Sequence, residues 1–218
     1  MFPLDNLMLP FCIRLFKLFQ LLIFKKIFCL IELIKVHKSL IKGIRHKLID
    51  RINQYIDLSD ICKITTGKLD ANNYDRNGKY PFFTCGKETL KINNYSFDCE
   101  ALLISGNGDV GHTKYYKGKF DAYQRTYVLY DFKIDPIYVK IAIDEKLPKK
   151  IKDETQNGAM PFIRISTLSS LKIPISKDNI NIQVTNIITT LESILEKEKD
   201  ILSLYLKQKV YLLSNMFI

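Results

Sequence analysis

Residues 97–130 read FDCEALLISGNGDVGHTKYYKGKFDAYQRTYVLY. Short runs of aliphatic, aromatic and β-branched residues alternate here with clusters of Gly, Asn and Asp, a texture typical of strands joined by tight turns. Four strands and one following helix are predicted, at Tyr80–Thr84, Ala101–Ile104, Lys114–Tyr116, Thr126–Tyr130 and Pro136–Ile143. This stretch is therefore interpreted as the centre of a compact α+β domain.

The segments on either side have helical periodicity instead. Residues 11–53 and 180–217 are predicted as two long helices with a seven-residue apolar recurrence. In the first helix the recurrent positions are Ile27, Ile34, Ile41 and Leu48, with Ile23, Leu30, His37 and Ile44 as a second set. In the second helix they are Ile187, Leu191, Ile194, Ile201, Tyr205 and Leu212, with Glu198 and Gln208 as polar interruptions. Ile188, Leu195 and Leu202 widen this second stripe, so each helix needs a partner surface. Pairing of the helices and packing of each on the central domain are equally compatible with the periodicity.

These changes of texture divide the chain into three parts. We expect an N-terminal long helix over residues 1–54, a central domain over residues 55–178 and a C-terminal helix over residues 179–218. The fold class is α+β, with a compact domain between two long helices. At 218 residues and 47% hydrophobic composition, the chain is long enough to bury a core.

The charge balance points to an anionic partner. The formal net charge is +10, and residues 1–54 hold ten basic against three acidic residues. Such an excess favours nucleic acid or an acidic membrane surface; a Lys-rich composition inherited from an AT-rich genome is the alternative explanation. Charged residues interrupt the apolar segment 11–34, so a membrane span is not expected, although an interfacial amphipathic helix stays open.

No catalytic constellation is apparent. His37, His46 and His112 are scattered, and the five cysteines form no C-x-x-C pair, so neither a metal site nor a nucleophile–base pair is supported. The sequence Asp135-Pro136-Ile137-Tyr138 resembles a methyltransferase loop only loosely and is interpreted as a helix start. Unpaired cysteines are typical of a reducing compartment, which predicts a cytoplasmic protein.

Residue types suited to DNA follow the glycine-rich loop 105–111. Lysines, tyrosines, Gln124 and Arg125 all occur within about twenty residues of it. Lys and Arg neutralise phosphates, while Asn, Gln and Arg form paired hydrogen bonds with base edges. A solvated hairpin explains the same composition about equally well.

The central blocks resemble a known family. They are Gly78-Lys79-Tyr80-Pro81-Phe82-Phe83-Thr84-Cys85, Tyr95-Ser96-Phe97-Asp98, the run from Glu100 to Gly108, and the run from Tyr116 to Leu129. Together they are similar to the target recognition domain of type I restriction-modification specificity subunits. Asn157-Gly158, Leu171-Lys172-Ile173-Pro174-Ile175 and the helix ending Leu206-Lys207-Gln208-Lys209 resemble the close of that domain and its following helix. The resemblance covers residues 34–218.

The resemblance implies a fold and a role. Family members join two recognition domains through helices that form an antiparallel coiled coil, and each domain recognises half of a bipartite DNA site. Methylation with S-adenosylmethionine and cleavage are carried out by methyltransferase and motor-nuclease partner subunits. We therefore expect no catalytic residue, metal or cofactor in this chain. It has a single recognition domain and resembles the second half of a specificity subunit.

On this basis we expect specific residues to contact double-stranded DNA and others to form a helix interface. The DNA contacts are predicted to be Lys87, Asn107, Lys114, Lys117, Gln124, Arg125 and Arg164, with Asn107, Gln124 and Arg125 on bases. The helix interface is predicted to comprise Ile34, Ile41, Leu48, Ile187, Leu191 and Ile194, and to join two copies of the chain into a homodimer. The alternatives are a silent or decoy half-subunit that binds methyltransferase subunits without recognising a site, a coiled-coil interaction protein, and a methyltransferase or nuclease fragment.

Overall fold

The computed structural model of the protein describes residues 5–155, 161–176 and 180–215. It contains two compact units, one formed by residues 1–44 and 187–218 and the other by residues 45–186. The unit of residues 45–186 is called the recognition unit below, after the family resemblance. It extends beyond the expected boundaries at residues 54 and 178, because it also contains the last turn of the first long helix and the start of the second. Asn157-Gly158 and Phe217 lie outside the described residues.

The described residues form five helices, eight strands and one short 3₁₀ turn at Ala71–Asn73. The helices are α1 Asp5–Ile49, α2 Leu58–Ile61, α3 Pro136–Glu154, α4 Ile165–Ser169 and α5 Ile180–Asn215. The strands are β1 Gln54–Asp57, β2 Lys63–Thr66, β3 Tyr80–Phe83, β4 Thr89–Ile92, β5 Phe97–Ser105, β6 Thr113–Ala122, β7 Thr126–Tyr130 and β8 Lys172–Ile175. The predicted α+β class with two long helices is confirmed.

Six strands form one sheet in the order β2-β7-β5-β6-β3-β4. All neighbours are antiparallel except β3 and β6, which pair in parallel through Phe82–Asp121 and Phe83–Ala122. The central strand β5 is buried throughout 101–105 and pairs with β6 on one side and β7 on the other. The residues that pack one face into a core are Phe83, Ala101, Leu103, Phe120, Ala122 and Val128. This core fixes the loops at the end of β5.

All four predicted strands are present, and β5 and β6 are longer than predicted. The strands that the prediction omitted, β1, β2, β4 and β8, have four residues each. In β8 the sequence gives a misleading signal, because proline usually lies outside a strand. Pro174 is tolerated there because β8 belongs to a two-stranded sheet and pairs only with β1, opposite Tyr55.

Helix α3 starts where predicted and continues eleven residues further. The Asp135 carboxylate accepts a hydrogen bond from the Ile137 N–H at 2.9 Å, and Pro136 occupies the first turn, so this sequence is a helix N-cap. Pro148 lies within the helix, where it removes one backbone hydrogen bond. The buried face of α3 still extends to Leu147, which explains why the helix continues past the predicted end.

The two long helices pair with each other in an antiparallel arrangement. Ile34 and Ile41 of α1 form a cluster with Leu195 of α5, and Leu191 and Leu202 pack against it. Lysine–aromatic contacts continue the pairing: Lys26 lies 5.6 Å from the Tyr205 ring, and Lys209 lies 4.6 Å from the Phe24 ring. Residues with higher numbers on α1 therefore lie beside residues with lower numbers on α5, so the two helices run in opposite directions. None of the described helices has an apolar stretch sufficient to cross a membrane.

Two adjacent apolar stripes of α5 differ in their exposure within one chain. Ile188 and Leu195 are buried, whereas Ile187 and Ile194 are 42% and 44% exposed. Both stripes have seven-residue spacing, and periodicity alone does not choose between two adjacent apolar stripes. The predicted residues Ile34, Ile41 and Leu191 do lie in this contact. Leu48 belongs to the recognition unit and is half-buried there.

Candidate nucleic-acid interface

Gly106 holds three segments together at the end of β5. Its N–H donates to the Arg125 carbonyl at 2.9 Å, and its own carbonyl accepts from the Ile163 N–H at 2.9 Å. A Cβ at this position would lie 2.6 Å from the Arg125 carbonyl oxygen and 3.0 Å from the Tyr127 ring. Only glycine permits so close an approach. The loops after β5 and before β7 are thereby locked to the chain around Ile163.

Further hydrogen bonds fix the same loops. The Tyr127 hydroxyl donates to the Ile163 carbonyl at 2.8 Å, and the Cys85 thiol donates to the Arg125 carbonyl at 3.2 Å. Gly108 has φ of +63°, a left-handed conformation that suits glycine. The turn that displays Asn107 is therefore a rigid feature of the sheet end.

All three predicted base-contacting residues line one shallow cavity of about 170 Å³. They are Asn107, Gln124 and Arg125, and the other lining residues are Thr66, Gly106, Tyr127, Phe162 and Ile163. No carboxylate is among these residues. The cavity therefore offers amide and guanidinium groups, which match the hydrogen-bonding edges of bases.

Gln124 and Arg125 are both exposed, but they differ in their polar contacts. The Gln124 side-chain nitrogen donates to the Asp70 carboxylate at 3.3 Å, and the Gln124 N–H donates to the Leu69 carbonyl at 2.9 Å. These bonds hold Gln124, which lines the cavity, to the segment at Leu69 and Asp70. Within the described part of the chain, the Arg125 guanidinium has no ion-pair partner. It is thus available to an external anion or base, and a buried structural ion pair is not its role here.

Arg164 lies beside this cavity through Phe162. Its guanidinium carbon is 5.1 Å from the centre of the Phe162 ring, a cation–π arrangement. The sequence prediction included Arg164 and omitted Phe162. A single aromatic residue between Pro161 and Ile163 carries no pattern that distinguishes it from a core residue.

Lys114 and Lys87 form a second group. The Lys114 ammonium donates to the carbonyls of Gly86 at 3.1 Å and Glu88 at 3.4 Å, and it lies 5.8 Å from the Phe83 ring. Burial lowers the pKa of Lys114 from its ordinary value. Lys87 is exposed within the loop that Lys114 binds. Lys114 therefore shapes the loop that presents Lys87.

Lys117 lies away from the cavity, on the outer face of β6. It is exposed and stands opposite Glu100 of β5 in the strand register. The Tyr115 hydroxyl donates to the Glu100 carboxylate, which raises the pKa of Tyr115 to about 12. Because Glu100 is the strand neighbour of Lys117, a carboxylate offsets the positive charge of this lysine. Lys117 therefore adds less positive charge to the predicted surface than an unpaired lysine would.

The described residues contain no group of three or more His, Cys, Asp or Glu side chains able to hold a metal ion. Asp144, an acidic residue in the recognition unit, is occupied by a hydrogen bond from Thr113 and an ion pair with Lys140 at 2.7 Å. Burial raises the pKa of the Cys62 thiol to about 12, which disfavours a reactive thiolate. These groups have structural partners rather than the geometry of a nucleophile and its base.

Known structures share this fold. The S subunit of the type I restriction-modification system from M. genitalium superposes with a TM-score of 0.72 at 19% identity, covering 93% of this chain and 60% of the other. The HsdS subunit from Thermoanaerobacter tengcongensis gives 0.62 at 12% identity, covering 93% and 56%. A subunit from a structure of type I system assembly and conformational transition gives 0.61 at 14% identity, covering 97% and 57%.

Sequence comparison gives the family directly. Residues 53–204 match the type I restriction modification DNA specificity domain. The specificity subunit of the Escherichia coli type I restriction enzyme EcoDI is 37% identical over 148 residues, which cover 66% of this chain and 32% of that protein. The chain thus spans about a third of this curated relative. By the extent of the domain match, the protein belongs to the type I restriction-modification DNA specificity family.

Proposed function

We propose that this chain recognises a specific sequence in double-stranded DNA through the cavity lined by Asn107, Gln124 and Arg125. The observation that carries the proposal is their convergence on one carboxylate-free cavity, held by the hydrogen bonds of Gly106. Amide and guanidinium side chains give a direct readout of base edges in the major groove. Arg164 beside the cavity and Lys87 on a neighbouring loop supply phosphate contacts.

In this proposal the chain performs no chemistry itself. It directs a methyltransferase subunit, which carries S-adenosylmethionine, and a motor-nuclease subunit to a bipartite site. The ordinary hydrogen-bonded environments of Asp144 and Cys62 agree with a non-catalytic role. Calorimetric titration with S-adenosylmethionine tests this: binding by the chain alone would support a methyltransferase fragment instead.

A second copy of the chain completes the bipartite site. The described residues hold one recognition unit, and their helix pair leaves a second apolar stripe uncovered. On α1 the uncovered stripe comprises Leu33 and Leu40, which directly precede the core residues Ile34 and Ile41. On α5 it comprises Ile187 and Ile194, which directly precede the core residues Ile188 and Leu195. All four are exposed. In an antiparallel pair these positions flank the same side of the seam, so they form one continuous surface for a homodimer.

The rival function is a silent or decoy half-subunit. Its helices bind the methyltransferase, but its recognition unit contacts no site. The same exposed apolar stripe serves this function, with the methyltransferase in place of a second copy.

Methylation mapping distinguishes these functions. The chain is co-expressed with methyltransferase and motor-nuclease subunits of its own host, and modified adenines are located by sequencing the cellular DNA. If recognition is specific, the methylated adenines lie in one split motif, which is absent when the chain is not expressed. With Arg125→Ala, the methylated sites tolerate more than one base at some positions of the motif. A decoy co-purifies with the methyltransferase and yields no motif.

A further inference from the structure

Phe162 presents an aromatic ring to solvent beside the amide cavity. The residue is 55% exposed and contributes to the cavity lining. Ile165, on the first turn of α4, is also exposed. Exposed aromatic residues bury large apolar areas when they meet a partner, and such residues are concentrated in binding surfaces. We therefore expect a binding partner to cover the exposed Phe162 ring.

The segment that carries Phe162 is fixed to the loops that carry the base-contacting groups. Ile163 donates its N–H to Gly106 and accepts a hydrogen bond from the Tyr127 hydroxyl through its carbonyl. Gly106 in turn bonds to Arg125. Phe162 is thus held at a defined place relative to Arg125 rather than at the tip of an unconstrained loop.

The positive charges beside Phe162 indicate that this binding partner is a nucleic acid. Arg164 lies over its ring at 5.1 Å, and Arg125 lines the same cavity. The described residues that line the cavity include no carboxylate, and the Asp70 carboxylate beside it accepts a hydrogen bond from the Gln124 side chain. Cations beside an exposed ring suit a ligand that combines flat apolar faces with negative charge, and a DNA base step with its phosphates has both properties.

We propose that Phe162 is a wedge that inserts at one base step of the bound duplex, with Arg164 holding the adjacent phosphate. This inference rests on the proposed DNA recognition and deepens it. Apolar wedges unstack a step and kink the duplex, and pyrimidine–purine steps yield most easily. The recognised sequence therefore includes a deformable step that is selected by its flexibility, next to bases selected by hydrogen bonds.

The test uses the full chain bound to its methyltransferase partner. The duplex carries the motif obtained by methylation mapping, with 2-aminopurine placed singly at each adenine except the methylated one, because the methyltransferase extrudes that base from the stack. This analogue becomes brighter when it is unstacked. We expect wild type to raise the fluorescence at one step. Phe162→Ala abolishes that rise and increases the Kd by about 10- to 100-fold, because base–aromatic stacking is lost. Phe162→Trp preserves both properties.

Tyr55→Ala is the matched control, since Tyr55 is a similarly exposed aromatic residue of the recognition unit that lies on β1. It leaves the Kd and the fluorescence unchanged. Phe162→Gln repeats the test with a polar side chain of similar length if the alanine variant folds poorly by circular dichroism.

Three results overturn the wedge. In the first, Phe162→Ala binds the motif like wild type, with the fluorescence rise retained. In the second, Phe162→Ala weakens co-purification with the methyltransferase and leaves DNA affinity intact, which makes Phe162 a protein contact. In the third, methylation mapping yields no motif that depends on the chain; that result also removes the proposed DNA recognition, whereas the first two leave it standing.

Discussion

His37 of α1 and Glu198 of α5 meet across the helix seam, with the imidazole Nδ1 2.8 Å from the carboxylate Oε1. Both residues interrupt the apolar periodicity of their own helix. Each interruption lies opposite the other inside the apolar cluster: His37 lies between Ile34 and Ile41 on α1, and Glu198 lies between Leu195 and Leu202 on α5. Polar groups in such a seam specify register at a cost in stability, because a shifted register leaves each group unpaired. The pair therefore fixes the antiparallel alignment of α1 and α5.

Replacing both members with leucine tests this role. We expect His37→Leu/Glu198→Leu to be as stable as wild type or more stable by about 1 kcal/mol or more, because a part-buried polar pair gives way to apolar packing. The single Glu198→Leu change leaves His37 without its partner and costs about 1–3 kcal/mol. Thermal denaturation measures both. Equal destabilisation by the single and double changes would show that the pair has no coupling.

Arg125 and Lys117 are expected to affect DNA binding in different ways. Arg125→Ala relaxes discrimination among sites by about 1–3 kcal/mol, because a base-edge contact is lost. Lys117→Ala weakens all sequences equally or has little effect, since its strand neighbour is Glu100. Competition binding against a library of motif variants separates these outcomes. Uniform weakening by Arg125→Ala would place this guanidinium on a phosphate instead.

DNA affinity of the chain is expected to fall steeply with salt. The net charge is +10, and each phosphate neutralised releases counterions, so several contacts cost orders of magnitude between about 50 and 200 mM salt. Fluorescence anisotropy with a labelled duplex measures the slope. Lys87→Ala lowers the slope by about one if Lys87 contacts a phosphate. Binding that does not depend on salt would contradict a phosphate-based surface.

Gly106→Ala is expected to disrupt the candidate interface as a whole. The added Cβ meets the Arg125 carbonyl, so the Gly106–Arg125 hydrogen bond breaks and both loops shift. We expect a loss of about 1–3 kcal/mol in stability together with weaker DNA binding. Gly43→Ala is the control, because a Cβ at this position of α1 meets nothing within 4 Å. Wild-type DNA binding by Gly106→Ala would show that the rigid loop arrangement is unnecessary.

Sequence periodicity predicted the long helices and the long strands because their signals are repeated many times along the chain. It missed β1, β2, β4 and β8, whose four residues each are too few to establish a period. Periodicity also does not decide which of the adjacent residues Ile194 and Leu195 faces α1, since both are apolar. Burial in the folded chain, not spacing, separates the two.

The residues of the candidate site could also be predicted only in part from the sequence. Residue type alone indicated Asn107, Gln124 and Arg125, because few side chains suit base edges. That they share a cavity depends on the sheet order, which brings the loop after β5 to the turn before β7. Phe162 and Asp70 join the site only through contacts distant in sequence, with Ile163 bound to Gly106 and Asp70 bound to Gln124. No local pattern encodes such contacts.

The exposed stripe of the helix pair makes the oligomeric state directly testable. In the homodimer that we propose, Ile187 and Ile194 pack against a second copy. Lysine at both positions places charge in that interface, which costs several kcal/mol unless the side chains reach solvent. Because both residues are exposed within one chain, the substitutions leave the α1–α5 pair folded. We expect light scattering to show a dimer for wild type and a monomer near 25.4 kDa for the double variant.

Leu195→Ala provides the contrast, since Leu195 is only 9% exposed and packs in the intramolecular cluster with Ile34 and Ile41. It lowers the stability of the helix pair by about 2 kcal/mol or more, whereas Ile194→Ala changes stability by less than about 0.5 kcal/mol outside the dimer. A wild-type chain that is monomeric across micromolar concentrations, and unchanged by the lysine substitutions, excludes the homodimer. The stripe would then serve the methyltransferase, and the same lysine substitutions should abolish co-purification with that subunit.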